Sequence, residues 1–254
     1  MKFNALIKKV VVFILVILNV DFIFSQSALD VIESGQDLNV LYRNEQTFYG
    51  FLGTRGWGVG YRRGKHITAK IKGLFEIEGA YMKHPKEIKV RGGSESKSGF
   101  VYGKLNTVMM LRAGIGTQHT IFKRTDRKAV EVRATYFLEG NLAFAKPYYV
   151  QVLGEGGFRN TEIVKYDPEK IKLDTIMGRG GFIYGLDEMK IYPAITGKFL
   201  MSIEYASVSY KIRAIEVGIV GDFFPKSLPI LAKNPAENYI VTLQLAFVFG
   251  KKWF

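Results

Sequence analysis

The stretch Val130-Glu131-Val132-Arg133-Ala134-Thr135-Tyr136-Phe137-Leu138-Glu139-Gly140-Asn141-Leu142-Ala143-Phe144 decides the fold. Its even positions carry no charge, whereas its odd positions include Glu131, Arg133, Thr135, Glu139 and Asn141. A period of two belongs to a strand, whose successive side chains point to opposite faces. One greasy face along such a length is what lipid demands of a strand, because every backbone group there must be paired and only a closed sheet has no edges.

Working outward, the same alternation places Tyr239, Val241, Leu243, Leu245, Phe247 and Phe249 opposite Ile240, Thr242, Gln244, Ala246 and Val248. It sets Ile215, Val217, Ile219 and Phe223 against Glu216, Gly218 and Asp222, and Phe199, Met201, Ile203 and Tyr205 against Ser202 and Glu204. Looser alternation covers 46–53, 56–64, 70–83 and 98–112, giving eight expected strands. If 114–122 is a separate strand rather than a continuation past Gly114 and Gly116, the number is ten. Thr54-Arg55 before Gly56 reads as a tight turn. The expected fold is all-β, a transmembrane antiparallel β-barrel.

The remaining connections alternate short (65–69, 123–127, 207–210) with long (84–97, 147–194, 225–237), which assigns the short ones and both termini to the periplasm. The seven prolines are expected at rims or in loops, where no ladder hydrogen bond is needed. Within the longest loop, residues 167–178 carry an acid at the cap, Pro168 next and Gly178 at the end, predicting a short helix.

The amino terminus is a basic head (Lys2, Lys8, Lys9), an apolar run over 10–18 and a small residue, Ser25. This is the order of a secretory signal peptide, expected to be cleaved after Ser25; an uncleaved anchor is the alternative, but a spanning helix needs about 20 apolar residues. Residues 26–45 are then a periplasmic segment and 46–254 the barrel. The chain has no cysteine, so it has neither a lipoprotein acylation site nor disulfides. Loss of three lysines and Asp21 with the signal lowers the formal charge from +13 to +11. Such a balance points to phosphate-bearing lipid or an acidic partner; export argues against nucleic acid.

Strand parity turns Glu76, Glu78, Glu131, Glu139, Glu204, Glu216 and Asp222 inward with Arg62, Lys104, Arg112, Arg133 and Lys198. An eight-stranded barrel is just wide enough for side chains to fill, so these groups are expected to pair as a plug. A proton or ion path along the carboxylates is the competing reading. Lys83, His84, Lys86, Lys89, Arg91 and Lys97 gather in one predicted extracellular loop. There Lys83, Lys86, Lys89 and Arg91 are candidates for contact with lipopolysaccharide phosphates or an acidic partner. His66, His84 and His119 have no ligand spacing, so no metal or other cofactor is expected. His119, beside Thr117, is the sole candidate for a lipid-modifying enzyme. The glycine-rich stretches at 56–60 and 178–181 do not open a helix after a strand and are not phosphate cradles. The end of the chain, with Phe247, Phe249, Trp253 and Phe254, resembles the signal by which the barrel-assembly machinery takes up outer-membrane proteins.

Gly56-Trp57-Gly58 with Arg62-Arg63-Gly64-Lys65, Met82-Lys83-His84-Pro85-Lys86-Glu87, Tyr102-Gly103-Lys104-Leu105-Asn106 and Phe249-Gly250-Lys251-Lys252-Trp253 resemble a family of uncharacterised small outer-membrane barrels of the Bacteroidota. Phe24-Ser25-Gln26 is similar to signal-peptide ends of that phylum. The resemblance implies place and fold and brings no catalytic motif. The expected function is non-enzymatic: a structural or accessory subunit of a larger outer-membrane complex for protein insertion, secretion or uptake, in the outer membrane of a Gram-negative bacterium. A free-standing barrel that binds lipopolysaccharide through its basic loops is the alternative.

Overall fold

Alternation along each strand becomes a closed wall in the computed structural model, which describes residues 42–92, 98–123, 130–154, 161–205, 210–232 and 234–254. The expected signal peptide, residues 26–41 and Lys97 lie outside the described residues. Among those described, the strands are β1 (Asn44–Gly53), β2 (Gly56–His66), β3 (Ile71–Met82), β4 (Lys89–Val90), β5 (Phe100–Val101), β6 (Asn106–Phe122), β7 (Glu131–Pro147), β8 (Tyr149–Leu153), β9 (Thr161–Lys165), β10 (Ile176–Arg179), β11 (Lys190–Glu204), β12 (Lys211–Leu228) and β13 (Glu237–Trp253). Eight of them close a barrel in the order β1-β2-β3-β6-β7-β11-β12-β13, every neighbour antiparallel and β13 pairing back onto β1.

The eight-strand reading holds because β6 runs unbroken through Gly114 and Gly116. Gly53 and Gly56 face each other across the Thr54-Arg55 turn. Gly56 adopts φ 143°, and a Cβ there would meet the Tyr81 carbonyl oxygen at 1.9 Å, so no other residue fits.

Outward side chains are large, apolar and exposed: Ile115 by 70 %, Leu138 by 66 %, with Leu52, Val59, Val241 and Leu243 around the same belt. An aqueous monomer does not carry a contiguous surface of this kind. It is the inverted pattern of a barrel that spans a membrane.

Three expectations are corrected at the long-loop end. The strand expected over 98–112 begins at Asn106; Gly103, at φ 70°, turns the chain just before it, and Phe100–Val101 instead pairs with β4. The helix expected over 167–178 is a single turn followed by one 3-10 turn, Leu173–Thr175. The cap forms, with Glu169 N donating to Asp167 Oδ1 at 3.1 Å, but so short a helix is marginal. Ile176, fully buried, is drawn into pairing with β8. Pro193 and Pro225 lie inside β11 and β12 rather than in loops, where ladder partners are missing: β11 meets β12 only from Ile195, so Pro193 pairs with β7 alone, and beyond Phe223 Pro225 pairs with neither flanking strand.

The described parts of the long loops are folded. β8, β9 and β10 form a small sheet, and Phe100, Val150, Tyr166 and Ile176 bury a core beneath it.

Candidate functional site

The barrel interior is built in layers, each set by strand parity. At the short-turn end Lys72 Nζ donates to Glu45 at 2.5 Å, Arg133 Nε to Glu131 at 2.7 Å and Lys252 Nζ to Glu204 at 2.7 Å, and Arg133 also pairs with Glu204. Above it, Leu74, Phe137 and Leu200 form an apolar layer beside the Gln118 to Thr135 hydrogen bond (2.9 Å).

The middle layer is the densest. Lys198 Nζ lies 2.7 Å from Glu76, 2.8 Å from Glu78 and 3.0 Å from Glu139, one ammonium shared by three carboxyl groups. Arg62 bridges Glu76 (2.7 Å) and Glu216 (3.0 Å), with its guanidinium between the rings of Tyr49 and Phe137 at 5.0 and 4.9 Å. Arg112 joins Glu78 (2.5 Å) to Asp222 (2.8 Å), and Asp222 accepts further hydrogen bonds from Asn141 and Thr196. Tyr49 donates to Glu78 at 2.8 Å. The room for these groups comes from glycine: a Cβ on Gly60 would sit 2.3 Å from the Tyr49 ring, and one on Gly116 2.4 Å from that of Phe137.

Toward the long loops the interior turns apolar. Met82, Val108, Met110, Phe224, Leu228 and Ile240 pack with Ile230 and Leu231, which the last long loop folds back into the mouth. Leu105 N donates to Ile230 O at 2.9 Å and Ala232 N to Gly103 O at 2.8 Å, strapping that loop across. Just inside, a cavity between Phe51, Ala80, Arg112, Val220 and Gln244 measures about 20 Å³, room for about one water.

No protein-family model and no curated protein matches the chain. Among solved structures, the Neisserial surface protein A is similar at 9 % identity, with TM-score 0.42, over 84 % of this chain and 97 % of that one. Ail, the attachment invasion locus protein of Yersinia pestis, is similar at 6 % identity and TM-score 0.38, over 84 % of this chain and 100 % of that one. Ail in complex with the heparin analogue sucrose octasulfate gives 4 % identity and TM-score 0.39 over the same shares. The barrel assignment for this chain rests on its own closed ladder.

Of the twelve residues expected to face the lumen, eleven do so: ion pairs join eight of them in the middle layer and the other three, Glu131, Arg133 and Glu204, at the short-turn end. Lys104 does not. It precedes β6 and pairs with Glu87 at 2.9 Å, both side chains buried under the loops. Glu45, Lys72 and Lys252 add to the short-turn layer and Tyr49 to the middle one, and the alternation of the sequence did not bring them out. Extending the parity of Glu76 back to Lys72 and that of Val248 on to Lys252 finds two of them, whereas Glu45 fell in the segment read as periplasmic.

Lys83, Lys86, Lys89 and Arg91 are all exposed at the long-loop end, and Lys86 Nζ donates to Asn234 at 3.1 Å. His84 is buried, its Nε2 3.5 Å from Glu237. His119 faces outward at the short-turn end against the Tyr136 ring (6.3 Å). Among the described residues no His, Asp or Glu grouping is suited to a metal ion. Phe247 and Phe249 stand on the outer wall, and the Phe254 ring lies 5.2 Å from that of Tyr42, tilted by 41°.

Proposed function

We propose that the chain is an outer-membrane barrel of a Gram-negative bacterium, of the Bacteroidota by the resemblance of its motifs, and that it serves without enzymatic activity as a structural or accessory subunit of a larger outer-membrane complex. One observation carries this reading: the lumen is filled with paired charges and shut at the long-loop end by packed side chains, so the surfaces left for function are the outer wall and the folded loops. Insertion, secretion and uptake machineries are the assemblies that use such subunits. The aromatic residues Phe247, Phe249, Trp253 and Phe254 fit recognition by the barrel-assembly machinery during insertion.

Extraction in mild detergent followed by size analysis and mass spectrometry tests the proposal. The chain is expected to elute with other outer-membrane proteins, and elution alone at monomer size overturns it. The exposure of Lys83, Lys86, Lys89 and Arg91 favours a second reading, contact with lipopolysaccharide. The lipid content of the same preparation, with and without those four charges, distinguishes the two.

A further inference from the structure

The outer wall is asymmetric at its short-turn end. Arg63 and Lys65 on β2, Lys211 and Arg213 on β12 and Lys251 on β13 all point outward and are exposed. The wall formed by β3, β6, β7 and β11 carries no outward lysine or arginine within its strands there; Ile71, Ile121, Val132 and Ile203 occupy it instead.

Strand register assembles the cations. Lys211 lies directly opposite Lys251, Lys251 opposite Gln46, and Gln46 opposite Arg63, one row across four strands. Like charges directly opposite one another are destabilising, and among the described residues none of Arg63, Lys211, Arg213 and Lys251 has a carboxylate partner. Lys211 Nζ lies 5.6 Å from the Tyr210 ring, and the exposed row is open to an anion.

The next row, two residues or roughly 6.8 Å further along the strands, reads Arg213, Phe249, Phe48 and Tyr61, with the Phe48 and Tyr61 rings 5.0 Å apart. Bordered by these rings, the wall dips into a shallow, open groove of about 560 Å³ floored by Gly50 and Gly79 and sided by Val59 and Phe249. A Cβ on Gly50 or Gly79 would meet nothing within 4 Å. Cations, then aromatics, then an apolar groove is the order of a phosphate, a glycerol backbone and an acyl chain.

We propose that this wall binds an anionic phospholipid, its phosphate on Arg63, Lys211, Arg213 and Lys251 and one acyl chain in the groove over Gly50 and Gly79. The proposal rests on the reading of the chain as an outer-membrane barrel with its short turns in the periplasm, where the adjoining leaflet is made of phospholipid.

The full chain is reconstituted in nanodiscs of phosphatidylglycerol and phosphatidylethanolamine and released for native mass spectrometry, with membrane fractionation run in parallel. Retention of phosphatidylglycerol over phosphatidylethanolamine is expected. The variant R63Q/K211Q/R213Q/K251Q is expected to lower that preference by about tenfold or more, from the attraction of each cation to anionic headgroups. G50V/G79V, which raises the floor of the groove and keeps the charges, is expected to lower retention of both lipids. If the fourfold variant does not fold, R63Q/K251Q is measured, with a loss of about fivefold expected. Equal retention of the two lipids by the unaltered chain, or a fourfold variant that behaves like it, overturns the site. So does loss of a co-purifying acidic protein from that variant with lipid retention unchanged, which assigns the cations to a protein partner. A chain absent from the outer-membrane fraction overturns the functional reading, and headgroup preference in nanodiscs still reports on the site by itself.

Discussion

Lys198 holds three carboxyl groups at 2.7 to 3.0 Å in a layer where Glu76, Glu78, Glu139, Glu216 and Asp222 meet Lys198, Arg62 and Arg112. Removing one partner from such a network leaves buried charge uncompensated, which costs about 3–5 kcal/mol. Lys198→Met keeps the bulk of the stem and deletes the charge, so the loss is expected at that magnitude in urea unfolding from a lipid bilayer. Lys83→Met, in the exposed loop, is expected to shift stability by about 0.5 kcal/mol or less, and equal effects at the two positions would mean that the interior charges are hydrated. These lumen residues were legible because parity is a local property: once Leu138 is outward, Glu139 is inward. Which acid meets which base was not legible. Arg62 reaches Glu76 on the adjacent strand and Glu216 on β12, and only closure of the barrel brings β12 to β2.

Among the elements, the small loop sheet is held at its rim by Glu188, which accepts from Lys165 Nζ at 2.6 Å and from Tyr149 Oη at 2.7 Å. The hydrogen bond from Lys165, seconded by that from Tyr149, keeps the Glu188 carboxyl below its ordinary pKa. A carboxyl depressed in the folded state adds stability above its ordinary pKa and loses it as the pH falls through the folded value. Amide exchange in β8 and β9 is therefore expected to quicken on acidification through and below the usual carboxylate range, and E188Q to show the quicker exchange already at neutral pH. Exchange that is independent of pH in both proteins would remove the clamp. The long barrel strands were legible because lipid outside and packed side chains inside impose a clean period of two over many residues. In the loops, short segments with both faces partly covered lose that period. Val101 and Ile176 read as parts of a barrel strand and of a helix, and tertiary pairing with β4 and β8 made both into loop strands.

Taken as a whole, the molecule has two barriers along its axis, the ion-paired middle layer and the apolar mouth formed with Ile230 and Leu231. Reconstituted in planar bilayers, the barrel is expected to show no steady conductance, and an ohmic open level would contradict a filled lumen. The closing pair of strands has a different bearing. β1 and β13 join Asn44 to Trp253 and Gly53 to Gln244, partners separated by almost the whole barrel sequence. Contacts so distant along the chain carry the largest loop-closure entropy and set slow folding. Until that seam zips, both edge strands expose unpaired amides and carbonyls, and hydrocarbon leaves them no partner. A half-built barrel has no resting place in the bilayer, so the pairing of β13 with β1 governs when, and whether, all the other strands become permanent.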